Sequence, residues 1–254
     1  MILIRREQME VFEQVALKRF EDEMVDHSKE YASKICKVLG DAQVREVVRQ
    51  AMRRADAHGF TYRGPIRLYI EITYLCGSHF DTDPQCAALG KILNGPEDQM
   101  ERAEQMHRGV NRYLRRVSGK DNVYVRRALE DLSVFARMPV EISADDVPGY
   151  LLQEMHRIFP RRANFIGEEG LTELIREGRA EARKFDLEPG HPEVLMFAFG
   201  HGCTDDPLYP WISRTLRDAR IVSPSARAER LERKAVTWLD HVLAGETAGE
   251  RAHD

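Results

Sequence analysis

Gly40-Asp-Ala-Gln-Val-Arg-Glu-Val-Val-Arg49 can be laid over Gly167-Glu-Glu-Gly-Leu-Thr-Glu-Leu-Ile-Arg176, and this pairing decides how the chain is read. The offset is 127 (167 minus 40). Val44 falls on Leu171, Val47 on Leu174, Val48 on Ile175, Glu46 on Glu173 and Arg49 on Arg176. Further along, Gly77-Ser-His-Phe-Asp-Thr-Asp-Pro84 falls on Gly200-His-Gly-Cys-Thr-Asp-Asp-Pro207 at an offset of 123 (200 minus 77). The four-residue difference lies between the blocks, where Gly64-Pro65 faces Gly190-His-Pro192. Upstream, Met24-Val-Asp-His27 is set against Met155-His156. Order is kept, spacing is nearly kept, and the indel lands in a loop. The pattern is that of an internal repeat. The expectation is an all-α protein made of two diverged copies of a helical-bundle module in tandem.

Each copy reads as helices. Val44, Val47, Val48, Ala51, Met52 and Ala55 recur at the spacing of one helical face, and Gly59 suits the residue after its end. Residues 66–75 are apolar nearly all round, so composition alone also admits a buried strand. Pro65 in a first turn and the flanking helices favour a buried helix, matched by residues 193–199 in the second copy. Asp83 with Pro84, and Asp206 with Pro207, each read as a cap followed by a first-turn proline.

Residues 1–117 form the first module, opening on one or two helices over 6–39 whose Met9, Phe12, Ala16 and Phe20 should pack along it. Residues 118–146 read as a linker with a helical stretch over 125–138, then Pro139 and an acidic run ending at Asp146. The second module covers 147–244, its last helix spanning 226–243, and 245–254 reads as a disordered tail.

Composition narrows the function. With 43% apolar and 31% charged residues the chain has the balance of a folded protein. A net charge of −4 argues against a nucleic-acid partner, since the basic runs at 161–162 and 227–233 are diluted by acids. The opening Met1-Ile-Leu-Ile-Arg-Arg-Glu7 is too soon charged for a signal peptide, and no apolar stretch approaches membrane-spanning length. Cys36, Cys76, Cys86 and Cys203 lack CxxC spacing and read as reduced thiols, three of them in or near the core, so a cytoplasmic location is expected. The oligomeric state is not legible.

His79, Asp81 and Asp83, with His201, Asp205 and Asp206, are the residue types that ligate a divalent metal, and they underlie a metal-dependent hydrolase as the enzymatic alternative. The spacing differs between the copies, however, and helix capping already accounts for an aspartate before a proline. Cys203 near His201 and Cys76 near His79 lack a third, orienting group. GxSxG, Walker A, GxGxxG and HExxH patterns are absent from the sequence. No catalytic residue, cofactor or metal is therefore assigned. Asp81, Asp83, Asp205, Asp206, Tyr209 and Trp211 remain as candidates for contact with a protein partner, the aromatics because such side chains anchor interfaces.

The stretches Ile4-Arg-Arg-Glu-Gln-Met9, Phe20-Glu-Asp-Glu-Met24, Ala55-Asp-Ala-His-Gly59, Tyr69-Ile-Glu-Ile72, Gly77-Ser-His-Phe-Asp-Thr-Asp-Pro84 and Ile92-Leu93 together resemble a family of small helical proteins. That family is encoded in bacterial gene clusters for type VI secretion spike proteins and PAAR-tipped effectors. The likeness covers about the first 95 residues. In the second copy Pro210-Trp211 restores a Pro-Trp that members carry after the Asp-Pro, where the first copy has Ala87-Ala88. The resemblance implies a non-catalytic accessory protein that binds a secreted effector toxin or its PAAR adaptor. Loading the effector as a chaperone or co-chaperone is the favoured role, and neutralising it as an immunity protein is the alternative.

Overall fold

The computed structural model describes residues 6–138, 146–187 and 191–250, and it contains no β-strand among them. In chain order the helices are α1 (Arg6–Tyr31), α2 (Ser33–Leu39), α3 (Asp41–Ala57), α4 (Arg63–Cys76), α5 (Ala87–Leu93), α6 (Gln99–Tyr113) and α7 (Val123–Phe135). They continue with α8 (Val147–Ile158), α9 (Pro160–Lys184), α10 (His191–Phe199), α11 (Pro210–Leu216) and α12 (Pro224–Glu250). No helix among the described residues is long and apolar enough to cross a membrane.

The apolar stripe predicted for residues 44–55 becomes α3, with Val44, Val47, Val48, Ala51 and Ala55 buried. Burial of each valine is worth about 1.5–3 kcal/mol relative to leaving it exposed. The apolar stretches at 66–75 and 193–199 both resolve as helix, within α4 and α10. Strand pairing for either would need a second strand nearby. The neighbours are amphipathic helices that offer faces instead of edges.

Three apolar clusters result. The first joins the C-terminal half of α1 to α3, α4, α5 and α6 around Phe60, Tyr69, Ile70 and Phe80, all fully buried. The second gathers α7, α8, α9 and α10 around Leu132, Leu151, Met155 and Phe197. The third sits among the ends of α9 and α10, α11 and α12.

Several expectations change here. Among the described side chains the stripe of α1 packs only from Phe20 onward. Val11, Phe12 and Val15 are about 60% exposed, so residues 11–19 have no core beneath them, and the side chain of Met9 lies outside those described. The presumed linker contains α7, whose Ala128, Leu132 and Phe135 are buried as part of the second core. Pro139 and residues 140–145 lie outside the described residues. The last helix runs to Glu250, seven residues past the expected end at 243, and 251–254 lie outside the described residues.

Backbone geometry recurs along the chain at the offsets read from the sequence. Ala32 (φ −123°, ψ 49°) and Phe159 (φ −123°, ψ 59°) precede short helices that break at Gly40 (φ 76°, ψ 161°) and Gly167 (φ 79°, ψ 167°). Both pairs are 127 apart (159 minus 32, 167 minus 40). The long helix that follows ends in each case on a positive φ, at Gly59 (73°) and Asp186 (54°), again 127 apart (186 minus 59). The same closing bonds form there, Phe60 N–H to Ala55 O at 2.9 Å and Leu187 N–H to Ala182 O at 3.0 Å. This register sets Met24 against Leu151 and Ser28 against Met155, four residues from the upstream pairing the sequence suggested.

Candidate functional site

The two Asp-Pro turns follow α4 and α10 and meet each other. Gly77 (φ 94°) and Gly200 (φ 98°) end the two helices in a conformation that side chains rarely adopt. Phe80 N–H to Gly77 O (3.3 Å) and Cys203 N–H to Gly200 O (3.1 Å) close the first turn of each loop. Cys86 N–H to Asp83 O (2.8 Å) and Tyr209 N–H to Asp206 O (3.0 Å) close the last.

Each aspartate then uses its two oxygens differently. Asp83 Oδ1 accepts from Gln85 N–H at 2.8 Å, within its own turn, while Oδ2 accepts from His201 N–H in the other turn at 3.0 Å. Asp206 Oδ1 accepts from Leu208 N–H at 2.8 Å, and Oδ2 accepts from Ser78 N–H in the other turn at 2.9 Å. The Ser78 hydroxyl adds a bond to Asp206 Oδ1 at 2.6 Å. The exchange is reciprocal: each turn gives a carboxylate oxygen and receives one. Glycine is favoured beside it because of the positive φ at Gly77 and Gly200; a Cβ there would only reach ordinary contact with the carboxylates, 3.6 Å from Asp206 Oδ2 and 3.4 Å from Asp83 Oδ2.

Both carboxylates are nearly sealed from solvent, at 3% and 2% exposure. Burial pushes both their pKa values up, against the pull of the amide hydrogen bonds. Asp81 behaves oppositely. Burial would raise it, but the Arg54 guanidinium and His58, whose Nε2 lies 2.9 Å away, hold it below the usual carboxylate range. Burial, with Arg54 nearby, holds the His79 pKa down.

Beside the exchanged bonds an open cleft of about 470 Å³ runs between the two turns, floored by His79, Thr82, His201 and Gly202. His201 bridges it, with Nε2 3.0 Å from the Thr82 hydroxyl and Nδ1 2.8 Å from Glu177 Oε2. The walls carry Arg54, Arg176, Glu177, Glu181 and Lys184. At corresponding positions the polar contact is kept and its chemistry exchanged. Arg54 pairs with Asp81 on one side, and Thr204 donates to Glu181 at 2.9 Å on the other.

The candidate contact residues thus fall into distinct settings. Asp81, Asp83 and Asp206 are buried and engaged within the chain. Asp205 is exposed at the cleft rim, paired with Arg217 at 2.6 Å. Tyr209 and Trp211 are half-buried and gather on Phe199, at ring distances of 4.8 and 5.8 Å, with Trp238 closing the cluster. The described residues contain no grouping of three His, Cys, Asp or Glu side chains suited to a metal ion. All four cysteines are free, and Cys36, Cys86 and Cys203 are buried. Sequence reasoning included Ser78 and Thr82 in the repeated turn without giving either a role, and it missed Glu177, which is brought in only by its contact with His201. No protein-family model, curated protein or solved structure matches this chain.

Proposed function

We propose that the chain is two diverged copies of one helical module, joined across their Asp-Pro turns, that works by holding another protein. The observation carrying this reading is the reciprocal carboxylate exchange. It engages Asp83 and Asp206, two of the aspartates that a hydrolytic site would need free, and it joins the two turns beside an open, mixed-charge cleft. The recurrence of backbone breaks at 40 and 167, and at 77 and 200, supports the duplication. The cleft rim, with Asp205, Arg176, Glu177 and Lys184, offers the polar, part-solvated character of a reversible protein contact.

The setting is taken from the resemblance of the first 95 residues: a type VI secretion accessory protein that handles an effector toxin or its PAAR adaptor before export. Loading is the favoured role, because a shape-based seam suits a shared handling task.

Deleting the gene tests it. A loader's loss abolishes effector delivery and leaves the producer healthy. Self-intoxication of the deletion strain, relieved by deleting the toxin, assigns neutralisation instead. Co-purification of the neighbouring effector, weakened by Asp205→Arg with Arg176→Glu, tests the cleft as the contact surface. A divalent ion bound in stoichiometric amount and lost with Asp81→Ala and Asp83→Ala refutes the binding reading in favour of an enzyme.

A further inference from the structure

The start of α7 and the junction of α8 with α9 line a second cavity, of about 270 Å³. Its lining holds four guanidinium groups, Arg127, Arg157, Arg161 and Arg162, against one carboxylate, Asp131. That balance stands out in a chain of net charge −4.

The four arginines are not equivalent. Arg157 is neutralised by Glu154, with Nη2 2.6 Å from Oε2. Arg162 is anchored as part of the wall: its Nη1 donates to Phe197 O at 2.8 Å and Ala198 O at 3.1 Å, and its guanidinium lies 4.8 Å over the Phe159 ring. Carbonyl oxygens orient that group, its charge also acts on the buried Asp83 carboxylate, and its Nε is buried without a hydrogen-bond partner. Arg161 is held 4.6 Å over the Tyr124 ring, which fixes its plane and leaves its donors free. Arg127 has no carboxylate partner among the described residues. The cavity therefore gathers the exposed guanidinium groups of Arg127 and Arg161 and the anchored one of Arg162 against a single lining carboxylate, Asp131. Like charges crowded around a concave space repel one another, and an oxyanion with matched acceptors relieves that repulsion while filling the donors bidentately.

We propose that this cavity is a binding site for a small oxyanion ligand, a phosphate- or carboxylate-bearing molecule, gripped by Arg127, Arg161 and Arg162. The Tyr124 ring and Pro160 supply an apolar wall for the body of such a ligand. The volume is near the lower edge of small-molecule sites. The site is separate from the proposed protein contact at the cleft, so either stands if the other fails.

The experiment is calorimetric titration of the full chain, in low-salt buffer, with inorganic phosphate and with phenyl phosphate. Sodium chloride at matched ionic strength is the control. Saturable phosphate binding, weakened at least about tenfold in Arg127→Gln with Arg161→Gln and unchanged in Arg53→Gln, is the expected result. Asp131→Asn removes the one opposing carboxylate and should tighten binding several-fold, a gain that misfolding cannot produce. Tighter binding of phenyl phosphate than of phosphate assigns the organic ester. Equal binding of both assigns the free anion. A response to phosphate no larger than that to chloride, or one indifferent to Arg127, Arg161 and Asp131 together, overturns the proposal.

Discussion

Asp206→Ala is the sharpest test of the carboxylate exchange. Asp206 closes a turn and does not cap α11, whose N-cap is Tyr209; the substitution removes the acceptor of the Leu208 N–H, a hydrogen bond worth about 1 kcal/mol on its own. It also strands two buried donors, the Ser78 amide and hydroxyl, at roughly 1–3 kcal/mol each. Relief of the buried carboxylate's own desolvation offsets part of this. The net expectation is about 3–5 kcal/mol, or a fall in Tm of about 6–10 °C for a chain of this size. Urea denaturation followed by circular dichroism reads it directly. Asp205→Ala, one residue away but exposed, is the control and should cost far less. Asp83→Ala should resemble Asp206→Ala, since it strands the His201 and Gln85 amides. The double variant should cost less than the sum, because both residues hold one seam. If Asp206→Ala destabilises by under about 1 kcal/mol, or no more than Asp205→Ala, the seam does not depend on these bonds.

Other expectations follow from the same geometry. Gly200→Ala and Gly59→Ala should both destabilise, since each forces a side chain onto a positive φ, whereas Gly64→Ala, with an ordinary φ within α4 and open space around the new methyl, should not, and chemical denaturation ranks the three. pH separates the aspartates by sign. Asp81 has a lowered folded pKa, so its contribution is present above the ordinary carboxylate value and lost as pH falls through the folded one. The stability lost in Asp81→Asn should shrink on acidification. Asp83 and Asp206 have raised folded pKa values, so their ionisation penalises the fold as pH rises from the ordinary carboxylate value through the folded one. Asp83→Asn with Asp206→Asn should flatten that decline in a Tm-against-pH series. Thiol labelling of the native protein should modify Cys76 first and leave Cys203 untouched until denaturant is added, because burial raises the Cys203 thiol pKa far above neutrality.

The helices of both halves were legible because their signal is local. Val44, Val47, Val48 and Ala51 repeat within three turns, and Gly59 and Gly77 mark ends by a conformation that few other residues adopt. The all-helical class followed from the same patterns. The exchange between Asp83 and His201 was not legible, because it spans 118 residues and uses a main-chain amide that any sequence would supply. The α1 stripe illustrates a second limit. Periodicity identifies which face of a helix is apolar, and the expectation that the whole face packs held for Phe20 and failed for Phe12, because the pattern carries no information on what lies opposite. Tyr209 and Trp211 show a third. Aromatic residues beside a loop look alike in sequence whether they face solvent or, as here, crowd onto Phe199 and Trp238. Pro139 and the acids before Asp146 read as a junction, yet α7 ahead of them is core, since a chain break in composition need not be a break in packing.

Reading an amide instead of a side chain has a consequence for tolerance to change. Position 201 meets Asp83 through an N–H common to nineteen amino acids, so histidine there is free to be replaced as far as that bond is concerned. Ser78 gives up only its hydroxyl bond if it becomes alanine. Gly77, Gly200, Asp83 and Asp206 have no such latitude. Those four residues hold the two turns together, and the surface around them is under no such constraint.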